Sequence, residues 1–98
     1  MPEIRFEWDL CKARSNQRKH GVSFEEAASA FYDDDALVLE DPEHSGDEDR
    51  FILQGLSSLV RLLVVIHCFR DADDTIRIIS ARKATPAEAG HYESRLRP

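Results

Sequence analysis

RFILQGLSSLVRLLVVIHCFRDADDTIRIISA, Arg50 to Ala81, is the stretch on which the fold turns. Arg50–Leu56 (RFILQGL) and Arg61–Phe69 (RLLVVIHCF) are rich in residues that favour strands, and a short Ser-containing turn separates them, which predicts an antiparallel hairpin. The second run is almost continuously apolar and is expected at the centre of the sheet. Arg70–Asp74 (RDADD) turns the chain again, and Thr75–Ala81 (TIRIISA) supplies the next strand.

Working outward, Thr85, Pro86 and Glu88 provide an N-cap, a proline at the first helical position and a capping-box acid, so a helix should run from there to about Arg95. At the other end Ile4, Phe6 and Trp8 alternate with Glu3, Arg5 and Glu7, the period of a short strand with one buried face. Asp9 can cap a helix through Cys11 to Lys19, and Gly21 after His20 suits its left-handed end. Ser23 and Glu26 form a second capping box, and Phe24, Ala27, Ala28 and Phe31 share one face of a helix of about eight residues. Asp33, Asp34 and Asp35 end it, Ala36–Glu40 (ALVLE) reads as a strand, and Asp41–Asp49 (DPEHSGDED) as a polar loop. The expected order is β-α-α-β-β-β-β-α in one domain over residues 1–98: an α+β fold, with an antiparallel sheet and the helices packed to one side.

Ninety-eight residues at 42% hydrophobic content suffice for one core. No apolar run is long enough to span a membrane and the N-terminus lacks the pattern of a secretion signal, so a cytoplasmic protein without membrane partners is expected. Cys11 and Cys68 form neither a disulfide framework nor a zinc pattern. Walker, dinucleotide, GxSxG and HExxH motifs are missing, which removes most nucleotide-dependent, serine-hydrolase and zinc-protease functions. Neither the Asp33–Asp35 run nor the loop around His44 has the spacing of a metal site, so no metal and no cofactor is expected.

The formal net charge is −6, yet its distribution is uneven. Residues 1–20 carry five Lys or Arg against three acids, residues 50–98 eight against five, and residues 21–49 none against eleven. A phosphate ligand responds to local potential rather than to the sum, so a basic surface can coexist with an acidic flank. Charge by itself favours the plainer reading, a solvated acidic loop with scattered surface cations.

The segment FEWDLCKARSNQRKHGVSFEEA (Phe6–Ala27) closely resembles the opening of the BrnT family of bacterial type II toxins, through Phe6, Trp8, Asp9, Lys12, Asn16, Lys19, His20, Gly21, Val22, Phe24, Glu25 and Ala27. The similarity continues through Arg50 and Phe51, the VVIH strand ending at His67, and IRIISARKAT from Ile76 to Thr85. The resemblance implies a RelE-like fold and an endoribonuclease that blocks translation. It also implies neutralisation by a cognate BrnA-type antitoxin, contact with operator DNA only through that antitoxin, and a higher-order toxin–antitoxin assembly.

Metal-free RNA cleavage needs a base for the 2′-OH proton, an acid for the leaving 5′-oxygen and cations for the charge that builds on the phosphate. Histidine suits the first two roles and arginine the third. His20 lies in the turn between the first two helices beside Lys19, where it serves either as a proton carrier or as a helix-end cation. Glu25 is the other candidate for a base or for orienting His20, since Glu26 is expected to be occupied as a cap. His67 shares strand parity with Leu63 and Val65 and reads as a core histidine.

Arg77 alternates with Ile76 and Ile78, so it belongs to the opposite, open sheet face. With Arg50, Arg82 and Lys83 it can form a patch for RNA phosphates, or else pair with Glu7 or Glu88 as a surface cation. Lys12, Asn16 and Lys19 share a helix face suited to RNA, and Tyr92 can stack on a base or pack onto the sheet. The candidate catalytic residues are therefore Arg77, Arg82, Arg50, His20 and Glu25, with Lys12, Lys19, Lys83 and Tyr92 as candidate RNA contacts. A non-catalytic module, the structured half of a toxin–antitoxin repressor complex, is the alternative.

Overall fold

Five strands form a single sheet in the order β1-β5-β4-β3-β2. The computed structural model describes residues 4–45, 49–70 and 74–96. Along the chain these carry β1 (Arg5–Glu7), α1 (Leu10–His20), α2 (Phe24–Ser29), a 3-10 turn (Ala30–Tyr32), β2 (Leu37–Ser45), β3 (Asp49–Leu56), β4 (Leu62–Arg70), β5 (Thr75–Lys83) and α3 (Pro86–Arg95). Among them no helix is long and apolar enough to cross a membrane.

The expected capping chemistry operates at three helix starts. Asp9 accepts from the Lys12 amide at 2.9 Å, Ser23 from Glu26 at 3.0 Å and Thr85 from Glu88 at 3.2 Å. Glu88 also reaches back to the Thr85 amide at 2.8 Å, which completes that capping box. Glu26 does not reach back to Ser23. Its carboxylate instead takes Ser57 at 2.6 Å and the Arg61 guanidinium, which ties α2 to the β3–β4 turn. Those Arg61 hydrogen bonds hold the Glu26 carboxyl below its usual range.

Three expectations need correction. The sheet is mixed, because β1 runs parallel to β5 through Arg5↔Thr75, Phe6↔Ile76 and Glu7↔Arg77, whereas the other pairs are antiparallel. Parallel neighbours cannot be joined by a tight turn, and every element from α1 to β4 lies between these two. Second, part of the polar segment 41–49 is strand: β2 continues to Ser45 and pairs again with β3 at Asp49, after an irregularity between Glu40 and Ser45. A proline is tolerated there because β2 is an edge strand.

Third, the helices do not share one side. Val22, Phe24, Ala27 and Ala30 pack with Leu53, Leu63, Val65, Ile78 and Ala81 in the main core, so α2 and the end of α1 cover one sheet face. Gly55 lets the 3-10 turn come close, since a Cβ there would lie 2.6 Å from the Ala30 carbonyl oxygen. The other face carries the residues that alternate with this core, and α3 is tied to it by a bidentate Arg82–Glu88 pair at 2.7 and 2.9 Å. Tyr92 of α3 donates to Asp33 at 2.5 Å at the end of the sheet.

His67 is fully buried on the core face, within ring-contact distance of Phe31, Phe51 and Phe69. Its Nδ1 lies 3.3 Å from the Val65 carbonyl oxygen, and Nε2 has no hydrogen-bond partner among the described residues. Burial lowers its pKa, partly offset by the Val65 contact, so the folded protein holds the neutral ring. The unfolded chain protonates at an ordinary histidine pKa of about 6.5, so the stability from neutral His67 is full above that pH and is lost as pH falls below it. The urea midpoint should therefore fall between pH 7.5 and 5.5, and His67→Phe should flatten that dependence. Equal slopes in the two proteins would show that another group is responsible.

Candidate nucleic-acid interface

The second sheet face is built by register. Strand partners point the same way, so Arg5, Thr75 and Arg70 form one row, and Glu7, Arg77 and Cys68 the next. Phe51 is paired with His67 on the core face, which places its neighbour Arg50 beside Cys68 on this one. Further along, Ser80, Ile66 and Ile52 make a third row and Arg82, Val64 and Gln54 a fourth. Five arginines thus share one face: Arg5, Arg50, Arg70, Arg77 and Arg82.

A bulge decides which basic residue of the Arg82–Lys83 pair belongs there. Ile66 pairs with Ser80 but His67 pairs with Ile78, which leaves Ile79 without a partner. One extra residue reverses the alternation. Strict period 2 from Arg77 would have brought Lys83 to its side; the bulge brings Arg82 and turns Lys83 to the core face, where its charge acts on Glu26. Lys83 is therefore removed from the expected patch.

Of the three candidate arginines, Arg77 and Arg82 are engaged. Arg77 donates to Glu7 at 2.7 Å, and both side chains keep about a third of their surface open, at 32% and 36%. The Glu7 hydrogen bond, followed by its charge, raises the Arg77 pKa, so the guanidinium stays charged. Arg82 and Glu88 form the tighter pair, which pushes the Glu88 carboxyl down to about 2. These are the two partners that the sequence offers as the alternative to RNA binding.

On the flank of this face, α1 lies along β5. β1 pairs with β5 only as far as Arg77, and beyond it the side chain of Asn16 takes the place of a strand. Asn16 Nδ2 donates to the Ala81 carbonyl at 2.8 Å and to that of Val22 at 3.0 Å, and Oδ1 accepts from the Ala81 amide at 3.1 Å. Asn16 is buried and structural, which corrects its reading as part of an RNA-facing stripe. Its neighbours Lys12, Ser15, Lys19 and His20 line a cleft with Ile79 and Ser80. Ser80 belongs to the arginine face, between the Arg77 and Arg82 rows, so cleft and face are continuous. Asp9 joins them at the other end of α1: its carboxyl is lowered by the Lys12 amide first and also by the charges of Lys12 and Arg77.

The structure therefore brings Lys12, Lys19 and His20 together beside the face that holds Arg77, Arg82 and Arg50. Glu25 is exposed on α2 and does not line the cleft. Tyr92 is only 6% exposed, and burial with its bond to Asp33 raises the phenol to about 12, so it neither stacks on a base nor moves a proton near neutral pH. It is a strut between α3 and the 3-10 turn. Arg5 and Arg70 were missed by sequence reasoning, although the alternation of Arg5 with Ile4 and Phe6 was a signal for the first of them.

A family model described as the ribonuclease toxin BrnT of a type II toxin–antitoxin system matches residues 8–88. Among solved structures, the 1.1 Å crystal structure of the Brucella abortus ribonuclease toxin BrnT aligns with a TM-score of 0.57 and 24% identity, over 85% of this chain and 99% of that one. No curated protein matches the sequence. With the family model spanning most of its length, the chain belongs to the BrnT family of ribonuclease toxins of type II toxin–antitoxin systems.

Proposed function

We propose that this toxin cleaves RNA without a metal, by attack of a 2′-oxygen on the adjacent phosphorus and departure of the 5′-oxygen. The products are a 2′,3′-cyclic phosphate and a 5′-hydroxyl. The continuity of the α1 cleft with the arginine face carries this reading, since it sets an imidazole and two lysines beside a face of guanidinium groups. His20, half-buried in the cleft, takes the proton of the 2′-OH or returns one to the leaving oxygen. Arg77 and Lys12 stabilise the phosphate charge, while Arg5, Arg50, Arg70 and Lys19 hold the flanking backbone. Glu7, the carboxylate on Arg77, is the better-placed acid than Glu25. Arg82 joins the phosphate contacts only where RNA competes with Glu88. The domain is RelE-like and acts in the cytoplasm to block translation. A BrnA-type antitoxin neutralises it and carries the complex, in a higher-order assembly, to operator DNA.

Purified protein incubated with RNA tests this. Cleavage that persists in EDTA, leaves cyclic phosphate ends and weakens as salt rises is the expected result. Activity lost in EDTA would reject the metal-free chemistry. No cleavage at any protein concentration, with no growth arrest on expression, would favour the non-catalytic module, a reading that the Arg77–Glu7 and Arg82–Glu88 pairs also fit.

A further inference from the structure

The sheet treats its two edges differently. On the β1 side, the part of β5 that β1 does not reach is sealed by Asn16 and α1. On the other side β2 is the last strand, and no described strand pairs with its outer edge. Natural sheets protect such edges, because a row of unpaired amides and carbonyls recruits other strands. Glu40, Asp41 and Pro42 protect the second half of β2 by charge and by a missing donor. Leu37–Leu39 has no such protection. Val38 and Leu39 are 48% and 47% exposed, one on each face of the strand, and read as a β-forming segment that is open along its backbone.

Charge selects the occupant. From Asp33 to Asp49 the chain has nine acids and no Lys or Arg, and Asp34, Asp35 and Glu40 are exposed around the open segment. RNA is repelled from it. A second copy is disfavoured as well, since antiparallel pairing of this segment about a twofold axis would bring the acids at 33–35 of one copy alongside those at 40–43 of the other. A cationic chain has neither difficulty.

We propose that the outer edge of β2 at residues 37–40 is a docking strand for an extended, Lys/Arg-bearing segment of the antitoxin, which adds a sixth strand to the sheet. Main-chain hydrogen bonds hold the added strand, Val38 and Leu39 receive its apolar side chains, and the acids around them select its cations. The proposal rests on the chain being a toxin with a protein antitoxin and not on its RNA chemistry. It gives the acidic middle of the sequence a role of its own: the antitoxin grips the β2 edge of the sheet, next to the face on which the five arginines lie.

The test uses the full chain and the antitoxin encoded with it, combined as purified proteins. Binding is followed by calorimetry at several salt concentrations and by hydrogen exchange. Amides of residues 37–40 should gain protection on complex formation. Val38→Lys/Glu40→Lys should weaken binding at least tenfold and flatten its salt dependence, with circular dichroism, melting temperature and RNA cleavage by the free toxin unchanged. Binding within twofold of wild type, with 37–40 unprotected and protection confined to the arginine face, would overturn the docking edge. Homodimers of the wild-type chain that Val38→Lys abolishes would assign the edge to self-association instead. If the wild-type chain binds no antitoxin, the proposal fails together with the partner reading, whatever the RNA assay shows.

Discussion

Arg77→Ala should slow RNA cleavage by roughly a hundredfold or more, the usual effect of removing one preorganised cationic contact to a transition-state oxyanion. The residue sits in the row of Glu7 and Cys68, close enough to Asp9 for their charges to interact, at the point where the arginine face meets α1. Its guanidinium is held by Glu7 from one side at 2.7 Å and keeps 32% of its surface open for a phosphate oxygen. The fold should survive, because a partly exposed ion pair contributes only about 0–1 kcal/mol. Arg77→Lys keeps the charge but not the planar fork, so it should recover only part of the rate. Glu7→Gln removes the charge that holds the guanidinium but keeps a hydrogen-bond acceptor beside it, and should change the rate of cleavage more than the melting temperature. Arg82→Ala is the weaker probe, because Arg82 also anchors α3 through Glu88 and its loss can act through the fold. Growth arrest at the wild-type level from both Arg77→Ala and Arg82→Ala would remove the arginines from the chemistry.

The parts of this molecule that were legible in the sequence are those specified locally. Asp9, Ser23 and Thr85 each place a side-chain oxygen where free amides need one, and Gly21 takes a φ of 69° at the end of α1, so these helix starts and this stop follow from short-range chemistry. Alternation around Ile76 and Ile78 placed Arg77 correctly for the same reason. The failures came from long-range geometry. No pattern within residues 75–83 announces that Ile79 bulges, and that one residue exchanges the faces of Arg82 and Lys83. The parallel β1–β5 pair depends on where a distant strand comes to rest. Asp41–Asp49 lacks any apolar alternation, yet its ends are strand because β3 offers a partner. Tyr92 could be read as a stacking aromatic only while its partner Asp33, 59 residues away, was unknown. Asn16 was misread because a polar residue between two lysines looks like surface, although its amide fits the one gap in the sheet where β1 ends too soon.

That gap makes Asn16 the position with the largest expected effect on stability. Its side chain uses both amide hydrogens and its oxygen, on the Ala81 carbonyl, the Val22 carbonyl and the Ala81 amide, and it is 7% exposed. The network also settles which end is oxygen, since only the amide nitrogen can face two carbonyls. Asn16→Ala leaves one buried donor and two buried acceptors unpaired. At about 1–3 kcal/mol for each group that water cannot reach, and with some relaxation, the loss should be about 3 kcal/mol. That is a large part of the 5–15 kcal/mol typical of a small domain, and lowers the melting temperature on the order of 15 °C. Asn16→Asp discriminates the mechanism from a simple loss of volume: it keeps the acceptor and the shape but sets a carboxylate against two carbonyl oxygens, so it should be at least as damaging. An Asp variant near wild-type stability would mean that the bonds to Ala81 and Val22 are not what holds α1 on β5. Because the cleft residues Lys12, Lys19 and His20 ride on the same helix, cleavage at a temperature where Asn16→Ala is still folded should fall as well, through a helix that no longer seats against Ile79 and Ser80.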